Sequence, residues 1–143
     1  MDNRLTVAEL ESYRSNGYLF PLEVFNEQQV QDMLADLARA RDDAKAQGFE
    51  AETASLIRAN VHLLLPFVSR VARSPQLLDR VESIRGPNLL LWSAEFFIKA
   101  AHTDKIVSWH QDLTYWGLGD TDDEITAWIA LSEVTVESGC MRV

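Results

Sequence analysis

The residues best equipped for chemistry are the run Trp109-His110-Gln111-Asp112. In an extended strand, side chains two apart leave the same face, so His110 and Asp112 converge while Gln111 turns away. An imidazole nitrogen and a carboxylate oxygen at one point supply two members of the facial set of two histidines and one carboxylate. That set holds non-haem Fe(II) and leaves positions open for oxygen chemistry. The third ligand is not evident from the spacing. Of the other two histidines, His102 lies in the polar run Ala101-His102-Thr103-Asp104, where exposure is expected, and His62 stands where a helix begins and fits a packing role. The same His-x-Asp pattern also suits a capped or ion-paired surface histidine, so its surroundings have to decide.

A chain of 143 residues with 47% apolar side chains is long enough for one domain with a core. Its formal charge of -9, with thirteen scattered Lys and Arg, disfavours a nucleic-acid partner, which needs a basic stripe, and an anionic membrane surface. No apolar run reaches membrane-spanning length, and the start Met1-Asp2-Asn3-Arg4 lacks the pattern of an export signal, so a cytoplasmic location is expected. Cys140, the single cysteine, cannot form an internal disulfide and suits a small buried apolar position better than a reactive thiol.

The elements that must position the chemistry fall into two halves. Thr6-Val7-Ala8-Glu9 is a capping box that opens a short helix through Tyr13, with Gly17 placed to close it. Tyr18-Leu19-Phe20 reads as a strand ended by Pro21. Asn26-Glu27-Gln28-Gln29 caps a longer amphipathic helix carrying Val30, Met33, Leu34, Leu37 and Ala38 on one face and stopping before Gly48. A loop is expected over residues 49–60. A helical stretch then follows Leu63-Leu64-Leu65-Pro66-Phe67 to about Arg73, and Ser74-Pro75 restarts a helix that Gly86 ends.

After Gly86 the pattern changes. Residues 88–98, 106–112 and 126–131 are apolar and aromatic without a helical stripe, as buried strands are, and Thr135-Val136 reads as a shorter piece. The acidic turn at 120–124 reads as a solvated connection. Helices first and strands afterwards predict an α+β domain with a sandwich or barrel core. The domain is read as one unit over 1–143, mainly helical over 1–86 and the first part of a sheet core over 87–143.

Five pieces in this order, Gly86-Pro87-Asn88, Phe96-Phe97-Ile98-Lys99, Trp109-His110-Gln111-Asp112 with Tyr115-Trp116, Trp128-Ile129-Ala130-Leu131 and Gly139-Cys140-Met141-Arg142-Val143, resemble the phytanoyl-CoA dioxygenase family of Fe(II)- and 2-oxoglutarate-dependent oxygenases. The resemblance covers nearly the whole chain. It implies a double-stranded β-helix, a jelly-roll, cupin-like core with helices packed on one side, and an enzyme that uses dioxygen and 2-oxoglutarate to hydroxylate a small organic substrate. It also implies that His110 and Asp112 are iron ligands and that Lys99, Gln111 and Trp128 lie near the co-substrate. On the residues alone, Lys99 equally suits a surface group and Trp128 a core position. In halogenating relatives a small residue stands where this chain has Asp112, so the resemblance favours a hydroxylase over a halogenase. A non-catalytic jelly roll that binds a metabolite or partner is the alternative from another class.

The resemblance departs at the end of the chain. Family members continue past the position of Val143 into strands carrying a distal histidine and an arginine for 2-oxoglutarate, so the sequence reads as an N-terminal fragment with an incomplete core. Such a piece is expected to be inactive alone and poorly stable or prone to associate, because unpaired sheet edges and an open core remain. Trp92, Phe96, Tyr115 and Trp116 are candidates for an apolar pocket or for barrel core, and the substrate is not legible.

Overall fold

The computed structural model describes residues 3–49, 59–104 and 106–143. Helix α1, Val7–Asn16, begins where the Thr6 hydroxyl accepts the Glu9 amide at 3.3 Å and the Glu9 carboxylate accepts the Thr6 amide at 2.7 Å. It runs three residues past Tyr13 because Gly17, at φ 81°, takes the left-handed conformation and donates its N–H to the Tyr13 carbonyl. Helix α2, Glu27–Ala46, carries the same reciprocal cap, Asn26 with Gln29, each bond 2.9 Å long. Most of the expected loop over 49–60 lies outside the described residues.

Three helices follow: α3 (Val61–Leu64), α4 (Pro66–Ala72) and α5 (Pro75–Arg85). Proline at the first position of α4 and α5 loses only an N–H that a helix start leaves unbonded anyway. Ser74 does stand at the cap of α5, but its hydroxyl makes no cap bond and is buried without a partner, so proline and packing start this helix.

Met33 and Leu37 of α2, Val61 of α3 and Phe67 of α4 form the buried cluster, with Ala94, Phe96 and Leu131 packed against it. Val61, only 1% exposed, also donates its amide to the Ala94 carbonyl at 2.9 Å. The core is thus the place where the helical half grips the half that follows.

Helix α5 is the second organising element. Asp79 accepts from the Asn3 side chain at 2.9 Å, the Ser83 hydroxyl accepts the Leu5 amide at 3.1 Å, and Arg80 donates to the Glu23 carbonyl at 2.9 Å. At its far end the Arg85 guanidinium donates to the carbonyls of Asp122 and of Glu124, the latter at 2.7 Å, and pairs with the Asp123 carboxylate at 3.6 Å. The acidic turn is therefore docked on α5 rather than merely solvated.

Among the described residues no strand ladder forms in 87–143, nor at Tyr18-Leu19-Phe20. Periodicity reports which side chains avoid water, whereas a strand needs a neighbouring edge to bond to. Thr135-Val136 belongs to a turn, not a strand: Thr135 and Ser138 exchange side-chain and backbone bonds of 2.9 to 3.2 Å, a local closure that these residue types favour. The accessible surface of 11233 Å² compares with about 7,500 Å² for a compact monomer of 16.2 kDa. Large apolar side chains stand exposed in the second half, where Leu90 is 85% and Ile106 83% exposed.

Candidate active site

His110 and Asp112 do meet, by a route that differs from the extended strand the spacing predicts. Asp112 has helical backbone angles, φ -55° and ψ -47°, and leads into the one-turn helix α6, Leu113–Trp116. The turn brings the Asp112 Oδ1 to 3.2 Å from His110 Nε2. On the other side of the imidazole, Nδ1 lies 2.7 Å from the Ser108 carbonyl oxygen, which can only accept, so Nδ1 carries the proton and Nε2 is the nitrogen presented to Asp112. The other carboxylate oxygen, Oδ2, accepts from the Thr126 hydroxyl at 2.9 Å. The Tyr115 ring stands edge-on to the imidazole at 5.9 Å, and Trp116 packs edge-on against Trp92 at 6.4 Å.

Electrostatics at this point favour a cation. The imidazole pKa is raised, first by donation to the Ser108 carbonyl and, against some desolvation, by the Asp112 carboxylate. Nearby, the Glu124 carboxyl is pushed up by desolvation and then by the Asp112 charge. The donor set also fits a divalent metal of the first transition row. Two ligands side by side on such an ion, each at about 2.1 Å, stand about 3 Å apart. A histidine whose distal N–H is held by a backbone carbonyl is the usual form of a metal-binding imidazole. Among the described residues no third His, Cys, Asp or Glu joins the pair to make a group of three. His102 is exposed, at φ 57°, and His62 is half-buried on α3 with Nδ1 unpartnered.

The other sequence candidates make their bonds elsewhere. Lys99 is exposed and its Nζ donates to the Gly139 carbonyl at 3.4 Å. Gln111 is exposed and accepts the Thr114 amide at its backbone carbonyl, 3.2 Å away, while Trp128 is 42% exposed. Among the described residues no hydrogen bond or ion pair joins any of the three to His110 or Asp112. Thr126, which bonds to Asp112, and Arg85, which holds the acidic turn just before Thr126, were not singled out by sequence. The only available signal was a hydroxyl and a cation flanking an acidic turn. Two hollows among the described residues lie elsewhere, one of about 420 Å³ lined by Ser69, Arg70, Arg73, Ser74 and Pro75 and another of about 230 Å³ beneath α2 and α4. Neither holds a set of ligating side chains like His110 and Asp112, so donor chemistry rather than hollow size locates the site.

The family model described as phytanoyl-CoA dioxygenase (PhyH) matches residues 13–143, and the chain belongs to that family. Among curated relatives, it is similar to the ectoine dioxygenase of Bordetella parapertussis, 28% identical over 122 residues that cover 81% of this chain and 40% of that protein. The ectoine dioxygenase of Bordetella bronchiseptica matches equally, and the peroxisomal phytanoyl-CoA dioxygenase of Mus musculus is 23% identical across 99% of this chain and 47% of its own length. The chain thus spans less than half the length of these relatives. No solved structure matches it. No helix among the described residues is long and apolar enough to cross a membrane.

Proposed function

We propose that this chain carries part of the active site of an Fe(II)- and 2-oxoglutarate-dependent dioxygenase that hydroxylates a small organic substrate. The observation that carries the reading is the approach of His110 Nε2 to Asp112 Oδ1 at 3.2 Å in a member of a dioxygenase family. His110 and Asp112 are the proposed metal ligands, and a further ligand and an arginine for 2-oxoglutarate are proposed to come from outside these 143 residues. Bound there, iron supplies the oxygen chemistry and the oxidative decarboxylation of 2-oxoglutarate. The protein's own part is orientation. Ser108 accepts the proton on Nδ1, which leaves Nε2, the nitrogen facing Asp112, as the one that would ligate a metal, and Asp112 would supply the negative ligand. A carboxylate at this position favours hydroxylation over halogenation, since it fills the coordination site that a halide would need. Lys99, Gln111 and Trp128 remain proposed co-substrate contacts, reached once a jelly-roll core assembles of which residues 87–143 form the first part. A cytoplasmic location belongs to the same proposal.

The test is His110→Ala and Asp112→Ala, each made in the protein that contains this chain with the rest of its family domain. Both are expected to lose bound iron and 2-oxoglutarate-dependent succinate formation. Iron content and turnover surviving either change removes that residue from the ligand set. The 143-residue chain alone is expected to be inactive, and oxygen-consuming decarboxylation by it would overturn that part of the proposal.

A further inference from the structure

A carboxylate's last torsion is broad, so Asp112 left to itself would sweep its two oxygens through many orientations. The structure holds one of them. Thr126 donates its hydroxyl to Oδ2 at 2.9 Å, which turns Oδ1 toward His110 Nε2 at 3.2 Å. Threonine suits this task because branching at Cβ stiffens its first torsion and aims the hydroxyl at little entropic cost. The two residues are fourteen apart in sequence, with α6 and the acidic turn between them, so something must close that loop. The Thr126–Asp112 bond closes it, and Arg85 fixes the Thr126 end to α5, grasping the carbonyls of Asp122 and Glu124 and the carboxylate of Asp123 just ahead of Thr126.

We propose that Thr126 is a positioning residue for the His110–Asp112 pair and that Arg85, from the end of α5, acts through it. This rests on the reading of the pair as a metal site and adds to it two residues that touch no metal. Groups that orient ligands in this way are worth about 10-fold to 100-fold in metal affinity, and the exposure of Thr126 puts the expectation at about tenfold.

The test uses the protein that contains this chain with the rest of its family domain, and Co(II) alone, with affinity from calorimetric titration and the His110 ring resonances followed for paramagnetic broadening. His110→Ala defines the part of Co(II) binding that belongs to the pair. Thr126→Val, which keeps the shape and removes the hydroxyl, is expected to weaken that part about tenfold, and Thr126→Ser to restore it. Thr126→Ala carries the same test if the valine variant fails to fold. Arg85→Met is expected to weaken binding in the same direction, and the double variant with Thr126→Val to be no weaker than Thr126→Val alone, as for two residues acting in series. Unchanged affinity in Thr126→Val, beside a His110→Ala loss, overturns the proposal and leaves the metal site standing. Additive losses remove Arg85 from it. Co(II) binding indifferent to His110→Ala overturns both the proposal and the site reading beneath it.

Discussion

Phe67→Ala is the sharpest probe of how the helical half holds the half that carries the site. Phe67 is 8% exposed, shares the buried cluster with Met33, Leu37 and Val61, and packs its ring at 6.1 Å from that of Phe96. Truncating a buried phenylalanine costs about 3–5 kcal/mol through lost transfer energy and the cavity left behind. The buried cluster is small and its rim includes half-buried side chains able to relax inward, so the expectation is the lower end, about 3 kcal/mol. With a urea dependence of about 1.5 kcal/mol per molar, that moves the unfolding midpoint down by about 2 M. The assay is urea denaturation followed by helical circular dichroism. Trp109→Ala is the control: an aromatic residue as large, but 77% exposed, is expected to cost less than about 0.5 kcal/mol. Equal losses from the two variants, or less than about 1 kcal/mol from Phe67→Ala, would refute the assignment of the core to this cluster.

Other outcomes follow from the same structure. Thr6→Ala, which removes the hydroxyl that caps α1, is expected to cost about 1 kcal/mol in the same urea assay. Glu9, whose pKa is lowered by accepting the Thr6 amide and hydroxyl, contributes stability that is present above the unfolded carboxyl pKa and lost as pH falls through its own depressed value; Glu9→Gln should flatten that acid limb. For His110 the sign is opposite. Its pKa is raised above 6.5, first by the Ser108 carbonyl, so the stability it contributes is fully present below the unfolded pKa and lost as pH rises through the folded one. Because a protonated Nε2 cannot ligate, Co(II) affinity should fall as pH drops through that raised value, and ring resonances titrating at or below 6.5 would contradict the raised value. The uncovered apolar surface around Leu90 and Ile106 should bind a hydrophobic dye and drive concentration-dependent association, reduced in Leu90→Lys with Ile106→Lys; a monomer at all concentrations in sedimentation velocity would contradict this.

Amino-acid order alone was enough for the helical half, because its signals act within one turn. The reciprocal caps Thr6 with Glu9 and Asn26 with Gln29 bond three residues apart, and Gly17 closes α1 through its own backbone freedom. It was also enough to single out His110 and Asp112, and the order of motifs pointed to the family. Tertiary structure decided how that pair meets and what surrounds it. Asp112 reaches the imidazole from a helical backbone rather than from a strand, Thr126 braces its carboxylate from fourteen residues away, and Arg85 anchors the acidic turn from 37 residues before Asp122. No spacing rule encodes such partners, because contacts between distant segments depend on which surfaces the core has already brought together.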